Sequence, residues 1–145
     1  MTLLQKRALY SLIIGLVLTV GVVIAMLSQG DIANFDSDSG QRYLLYLVMV
    51  GVPLTYLILM NVTLRKPTQM DERDKRVIER SSRVQWLAVV FTLVAWTIIL
   101  TEAYHATGAV PSVFLYVIFM SVLIVSTLAQ SAGIIIGYWG MDRHG

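Results

Sequence analysis

The sequence predicts an all-α integral membrane protein, a four-helix bundle with both termini on the cytoplasmic side and a charged helical extension leading into its third span. Three observations predict it. Of 145 residues, 57% are hydrophobic and only 14% are charged, whereas soluble domains carry about 25% charged residues. The apolar residues are gathered into four long stretches, with no strand-like alternation of apolar and polar positions. Ten of the eleven basic residues fall on one side if the chain crosses a bilayer four times. The mean hydropathy of +0.71 agrees. Three prolines and no cysteine exclude a collagen, a disulfide scaffold, thiolate metal sites and cysteine nucleophiles.

A crossing helix needs about 20 mostly apolar residues, because the hydrocarbon layer is ~30 Å thick. Lipid offers backbone amides no partners, so each stretch should be helical. The expected spans are 8–27, 43–64, 84–101 and 110–138, in one membrane domain covering 1–145. The first span follows Lys6 and Arg7 and contains no charge over 20 residues. A signal peptide's apolar run is about 7–15 residues, so this stretch is expected to be a retained span.

The outer loop, 28–41, is turn-rich and acidic. Asp31, Asp36 and Asp38 could form a weak cation site, but the calcium-loop pattern is missing and a solvated link is expected. The second span carries Gly51 and Pro53, which predict a kink. Pro67 then ends the element before it.

The inner segment is the most distinctive part of the chain. Thr68 and Asp71 have the spacing of a capping box, which predicts a charged cytoplasmic helix over 69–83. Asp71/Lys75, Glu72/Arg76 and Glu79/Arg83 each place an acid four residues before a base, the favourable order on a helix. Met70, Val77, Ile78 and Val84 make a narrow apolar stripe. The helix should run into the third span, with a bend at Ser81–Ser82. Such a segment anchors a span at anionic headgroups or offers a docking face to a protein.

Basic residues select the cytoplasmic side of a membrane protein. Here that side holds the N-terminal pair, the inner segment and Arg143, with a net charge of +5. The other side nets −3. Tyr10, Trp86, Tyr138 and Trp139 fit the inner interface, and Tyr43, Tyr46, Tyr104 and Tyr116 the outer one. Tyr56 and Trp96 lie deeper and should pack between helices.

No Asp, Glu, Lys, Arg or His falls within the bilayer interior, where proton-driven transporters generally keep ionisable groups. Glu102 and His105 share a helix face, but a dimetal bundle would need further inward carboxylates, so an ordinary helix end is expected there. Asn61, Gln130 and the scattered Ser and Thr residues suit interhelical hydrogen bonds, worth about 0.6 kcal/mol each. In the fourth span Ala129, Gly133 and Gly137 recur every four residues, followed by Gly140. Small residues so spaced allow close backbone approach, either to another helix of the chain or to a second copy. Leu45-Tyr46 is echoed by Leu115-Tyr116, and Arg7-Ala8-Leu9-Tyr10 loosely by Arg83-Val84-Gln85-Trp86, as a duplicated hairpin would produce.

The stretch Asp71-Glu72-Arg73-Asp74, lying between two apolar hairpins, resembles a family of small prokaryotic membrane proteins of unknown function that carry a DERD-type motif between their second and third spans. The sharp part of the likeness runs from Met70 to Arg83. It implies the four-span architecture and a prokaryotic origin, and it supplies no catalytic residues.

The leading functional expectation is a non-enzymatic accessory, scaffold or regulatory subunit without cofactor or metal. Its partners would be the bilayer, anionic headgroups near the inner loop, and a protein or a second copy. Its contact residues would be Asp71, Glu72, Arg73, Asp74, Arg76 and Arg80 on the charged helix, with Ala129, Gly133 and Gly137 on the fourth span. A small oligomeric transporter or channel is the alternative, and a redox or enzyme anchor subunit the third reading. Nucleic-acid binding is disfavoured because acids interleave the basic residues. Tags placed between Arg73 and Arg80 should be inaccessible to protease in intact cells and cleaved after the membrane is opened; the reverse pattern contradicts the four-span topology.

Overall fold

In a computed structural model of the protein, described for residues 3–28, 39–63 and 71–144, the chain is all-helical. Its four helices are α1 (Leu3–Ser28), α2 (Ser39–Thr63), α3 (Glu72–Tyr104) and α4 (Val113–His144). Three contain an apolar segment long enough to cross a membrane: Leu4–Gly21 in α1, a segment of α3, and Val113–Gly140 in α4. The apolar core of α2, Tyr46–Leu59, is shorter. The acidic outer loop with Asp31, Asp36 and Asp38, together with Arg65, Lys66, Pro67 and Thr68, lies outside the described residues.

The start of α3 differs from the capping-box expectation. Asp71 is extended (φ −70°, ψ 159°) and is itself the N-cap, its carboxylate accepting from the Glu72 amide at 2.7 Å. The helix therefore begins at Glu72 instead of Gln69. A short carboxylate at the cap satisfies one of the free amides of the first turn, and Glu72 and Asp74 sit against the positive end of the helix dipole. From there α3 continues for 33 residues, about 50 Å at ~1.5 Å per residue. Ser81 and Ser82 lie within this unbroken helix, the Ser81 hydroxyl donating to the Ile78 carbonyl at 2.8 Å. Helix α2 likewise continues through Pro53. The turn after α3 uses Gly108 at φ +65°, a left-handed conformation suited to glycine, with its amide bonded to the Tyr104 carbonyl at 2.9 Å.

The hub of the fold is α4. It packs most extensively on α3 and next on α1, while α2 touches α1 and α4 only thinly. The arrangement is a layer of α3, α4 and α1 with α2 at its side, not a ring in which every helix has two comparable neighbours. Consequently the two hairpins, echoed in sequence, pack differently.

Small residues explain the closest contacts. A Cβ built on Gly133 would lie 3.0 Å from the Ser81 Cα, and one on Gly137 would lie 3.0 Å from a Val77 methyl. Ser81 is 0% exposed and Val77 is 2% exposed. On the other flank of α4, a Cβ on Gly15 would meet Leu128 at 3.3 Å. Leu4, Val77 and Tyr138 form a buried cluster joining α1, α3 and α4 at one end.

These contacts set the direction of the helices. Ser81 faces Gly133 and Val77 faces Gly137, so α3 runs antiparallel to α4. Ser11 bonds Ser131 and Gly15 meets Leu128, so α1 is antiparallel to α4 as well. Helices α1 and α3 are thus parallel to one another. Lys6 and Arg7 are carried to the same end as the charged start of α3.

Gly133→Ala should lower the stability of the detergent-solubilised protein by about 1–3 kcal/mol, because backbone must yield to the added methyl. Gly137→Ala should cost less, since it meets a side chain. Gly21→Ala, with nothing within 4 Å, should be neutral or slightly stabilising through helix propensity. Thermal unfolding of the three variants checks the order.

Candidate partner-binding surface

The first third of α3 is a charged helix held by one edge. That edge carries Asp74, Val77 and Ser81, spaced to lie on one face of a helix. Val77 and Ser81 seat against Gly137 and Gly133, and the Tyr138 hydroxyl donates to the Asp74 carboxylate. Both fixings come from α4, and both are short-range, so this segment is attached along its length.

The remaining charged residues face outward. Asp71, Glu72, Arg73, Lys75, Arg76, Glu79, Arg80 and Arg83 are exposed. Among the described residues one of the three expected i,i+4 ion pairs closes: Arg76 to Glu72 at 3.9 Å, with the two side chains 79% and 85% exposed. Asp71 is used as the cap, and Glu79 and Arg83 do not form a pair. Exposed pairs gain little against side-chain entropy and screening, so favourable spacing alone does not close them. Arg73, Arg80 and Arg83 form no ion pair among the described residues.

The expected contact residues therefore separate into two groups. Asp71, Glu72, Arg73, Arg76 and Arg80 lie on the outward surface. Asp74, Gly133 and Gly137 lie at the α3–α4 seam of the same chain, the first of the two neighbours that the glycine spacing allows. The spacing of the glycines signals close approach, but α3 is what approaches. Ala129 is half-buried on α4, and a Cβ on Gly140 would meet nothing within 4 Å.

Tyr138 is not separable by sequence from the other aromatic residues expected at the inner interface. In the structure it is buried, and its hydroxyl reaches Asp74. Three further polar contacts cross between helices and end on α4. Gln85 Nε2 donates to Ser126 Oγ at 2.7 Å, and Trp96 Nε1 donates to Ser121 Oγ at 2.8 Å. Ser131 Oγ lies 2.9 Å from Ser11 Oγ, which is also hydrogen-bonded to the Tyr56 hydroxyl. Tyr56 and Trp96 thus join helices as expected. Gln130 is half-buried, and the Asn61 side chain lies outside the described residues.

At the opposite end, rings from three helices gather. Tyr46 and Tyr116 have centroids 5.6 Å apart, and Tyr104 and Phe114 5.5 Å. Glu102 and His105 are exposed there. Between α1, α2 and α4 an open groove of about 240 Å³ is lined by Gly15, Leu18, Pro53, Tyr56, Met120 and Ile124 among others. Glycine on one wall and a ring-closed proline on the other leave this space unfilled.

No family model, curated protein or solved structure matches this chain.

Tyr138→Phe should release the start of α3. Loss of one hydrogen bond worth about 1 kcal/mol should raise amide hydrogen exchange over 72–80 roughly fivefold, while residues 92–104 stay unchanged. Equal protection in the variant would show that the glycine contacts alone hold the segment.

Proposed function

We propose that this chain is a small non-enzymatic protein of the inner, cytoplasmic membrane of a prokaryote, acting as an accessory, scaffold or regulatory subunit of a larger assembly. Three long apolar helices support the membrane setting. The gathering of Lys6, Arg7 and the basic residues of α3 at one end of the molecule favours a cytoplasmic location for that end. The DERD-type resemblance points the same way.

One observation carries the functional reading. The charged start of α3 is fixed to α4 along one edge while Glu72, Arg73, Arg76 and their neighbours stay exposed. A charged helix held in place in the free protein spares a partner the ordering cost of a flexible loop. Its mixture of signs suits a specific protein surface, where complementary charges fix register and speed encounter. A transport reading has less support: the groove between α1, α2 and α4 is lined almost wholly by apolar side chains, which gives a polar solute few partners.

Purification from native membranes in mild detergent should yield a stoichiometric protein partner. Arg73→Glu combined with Arg76→Glu should lower its recovery about tenfold or more, with helix content unchanged. Thr97→Ala, on an exposed position of the apolar part of α3, should have no effect. Recovery of the wild-type chain only as a solitary monomer contradicts the proposal.

A further inference from the structure

The outward arginines of α3 differ in height along the helix. Val84 opens the apolar part. At ~1.5 Å per residue, Arg83 and Arg80 stand about 2 and 6 Å above it, and Arg76 and Arg73 about 12 and 17 Å above it. Each polar layer of a bilayer is only about 5–8 Å thick. Arg80 and Arg83 fall within that layer, and Arg73 and Arg76 reach past it.

The other helix at this end supplies matching groups. Ser11 is level with Ser131, and Ser81 with Gly133, which puts Ser11 near the height of Arg83. Tyr10 is adjacent and exposed; Lys6 and Arg7 lie about 6–8 Å further toward the charged end. The result is a band of basic and aromatic groups about 8 Å deep at this end of the molecule.

On α3 this band contains a shallow, solvent-open groove between the exposed side chains of Ser82, Arg83, Trp86 and Leu87. Trp86 is 68% exposed. Below it, Leu87, Val94, Ile98 and Phe91 continue as an exposed apolar stripe, Phe91 being 70% exposed. At about 100° per residue, Arg80, Arg83, Leu87, Phe91, Val94 and Ile98 fall within one arc of roughly 80°. That arc lies away from the edge held by α4. Cationic groups that form no ion pair among the described residues, an amphipathic ring beneath them and an apolar track below match an anionic phospholipid in the order of its parts: phosphate, glycerol, acyl chain.

We propose that the groove at Ser82, Arg83, Trp86 and Leu87, with Arg80 above it, is a binding site for an anionic phospholipid. The phosphate pairs with Arg83 and Arg80, Trp86 packs at the glycerol level, and an acyl chain follows Leu87 and Phe91. This rests on the membrane reading above; it assigns Arg80, one of the expected protein contacts, to the lipid and leaves Glu72, Arg73 and Arg76 to the protein partner.

The test reconstitutes the full chain into vesicles of phosphatidylcholine alone and of equimolar phosphatidylcholine and phosphatidylglycerol. The protein is then re-extracted in mild detergent and the retained lipid is quantified by mass spectrometry. The wild type should float with both vesicle types and retain phosphatidylglycerol well above its share. Each arginine near an anionic surface contributes about a fivefold preference. Arg80→Gln with Arg83→Gln should therefore lower the retained ratio of phosphatidylglycerol to phosphatidylcholine roughly 25-fold. Arg80→Lys with Arg83→Lys should keep most of it, because the charge remains. Arg73→Gln with Arg76→Gln should leave it unchanged. Flotation without phosphatidylglycerol enrichment overturns the lipid site alone, as does equal damage from the Arg73/Arg76 pair. Failure to float with either vesicle overturns the membrane reading and the site together.

Discussion

The close approach of α3 and α4 at Gly133 and Gly137 is the contact on which the rest of the arrangement depends. Ser81 and Val77 occupy the space that side chains on α4 would otherwise fill. With the backbones this near, Tyr138 can reach Asp74, Gln85 can reach Ser126 and Trp96 can reach Ser121. Dispersion falls steeply with separation, so a small displacement at the glycines would weaken all of these contacts together. The seam also fixes where the charges go: whatever edge of α3 faces α4 must be small or able to hydrogen-bond, and the arginines take the opposite side.

Much of the fold is legible in the sequence, because helix existence depends on local composition. Four apolar stretches give four helices, three of them with a segment long enough to cross a membrane, and the charged run before the third appears as the beginning of α3. The spacing of Gly133 and Gly137 signals the close packing found there, but spacing carries no information about the identity of the neighbour. Only the three-dimensional register pairs Gly133 with Ser81. The cap shows a second limit. Thr68 and Asp71 both suit an N-cap, and the choice of Asp71 depends on where the backbone leaves the extended conformation. Glu79 and Arg83 show a third: at exposed positions the gain from pairing is comparable to the entropy lost, so the pattern is permissive.

The candidate surface is legible in part for the same reasons. Residues whose role is to stay exposed, such as Arg73 and Arg76, are found from charge alone. Residues that serve both signs of the problem are not. Asp74 stands in the middle of a charged motif yet faces inward, and the signal that identifies it is its place one helical turn before Val77 and Ile78 and two before Ser81, on the edge that becomes the seam.

The position of α4 has a consequence for the order in which the molecule can assemble. Its two best-packed neighbours, α1 and α3, precede it in the chain, and they scarcely touch each other. During synthesis, which proceeds from the N-terminus, neither finds its main companion until the fourth helix has emerged. Until then Ser11, Gln85 and Trp96 lack their eventual acceptors or donors on α4, and the native packing forms late and around a single incoming element.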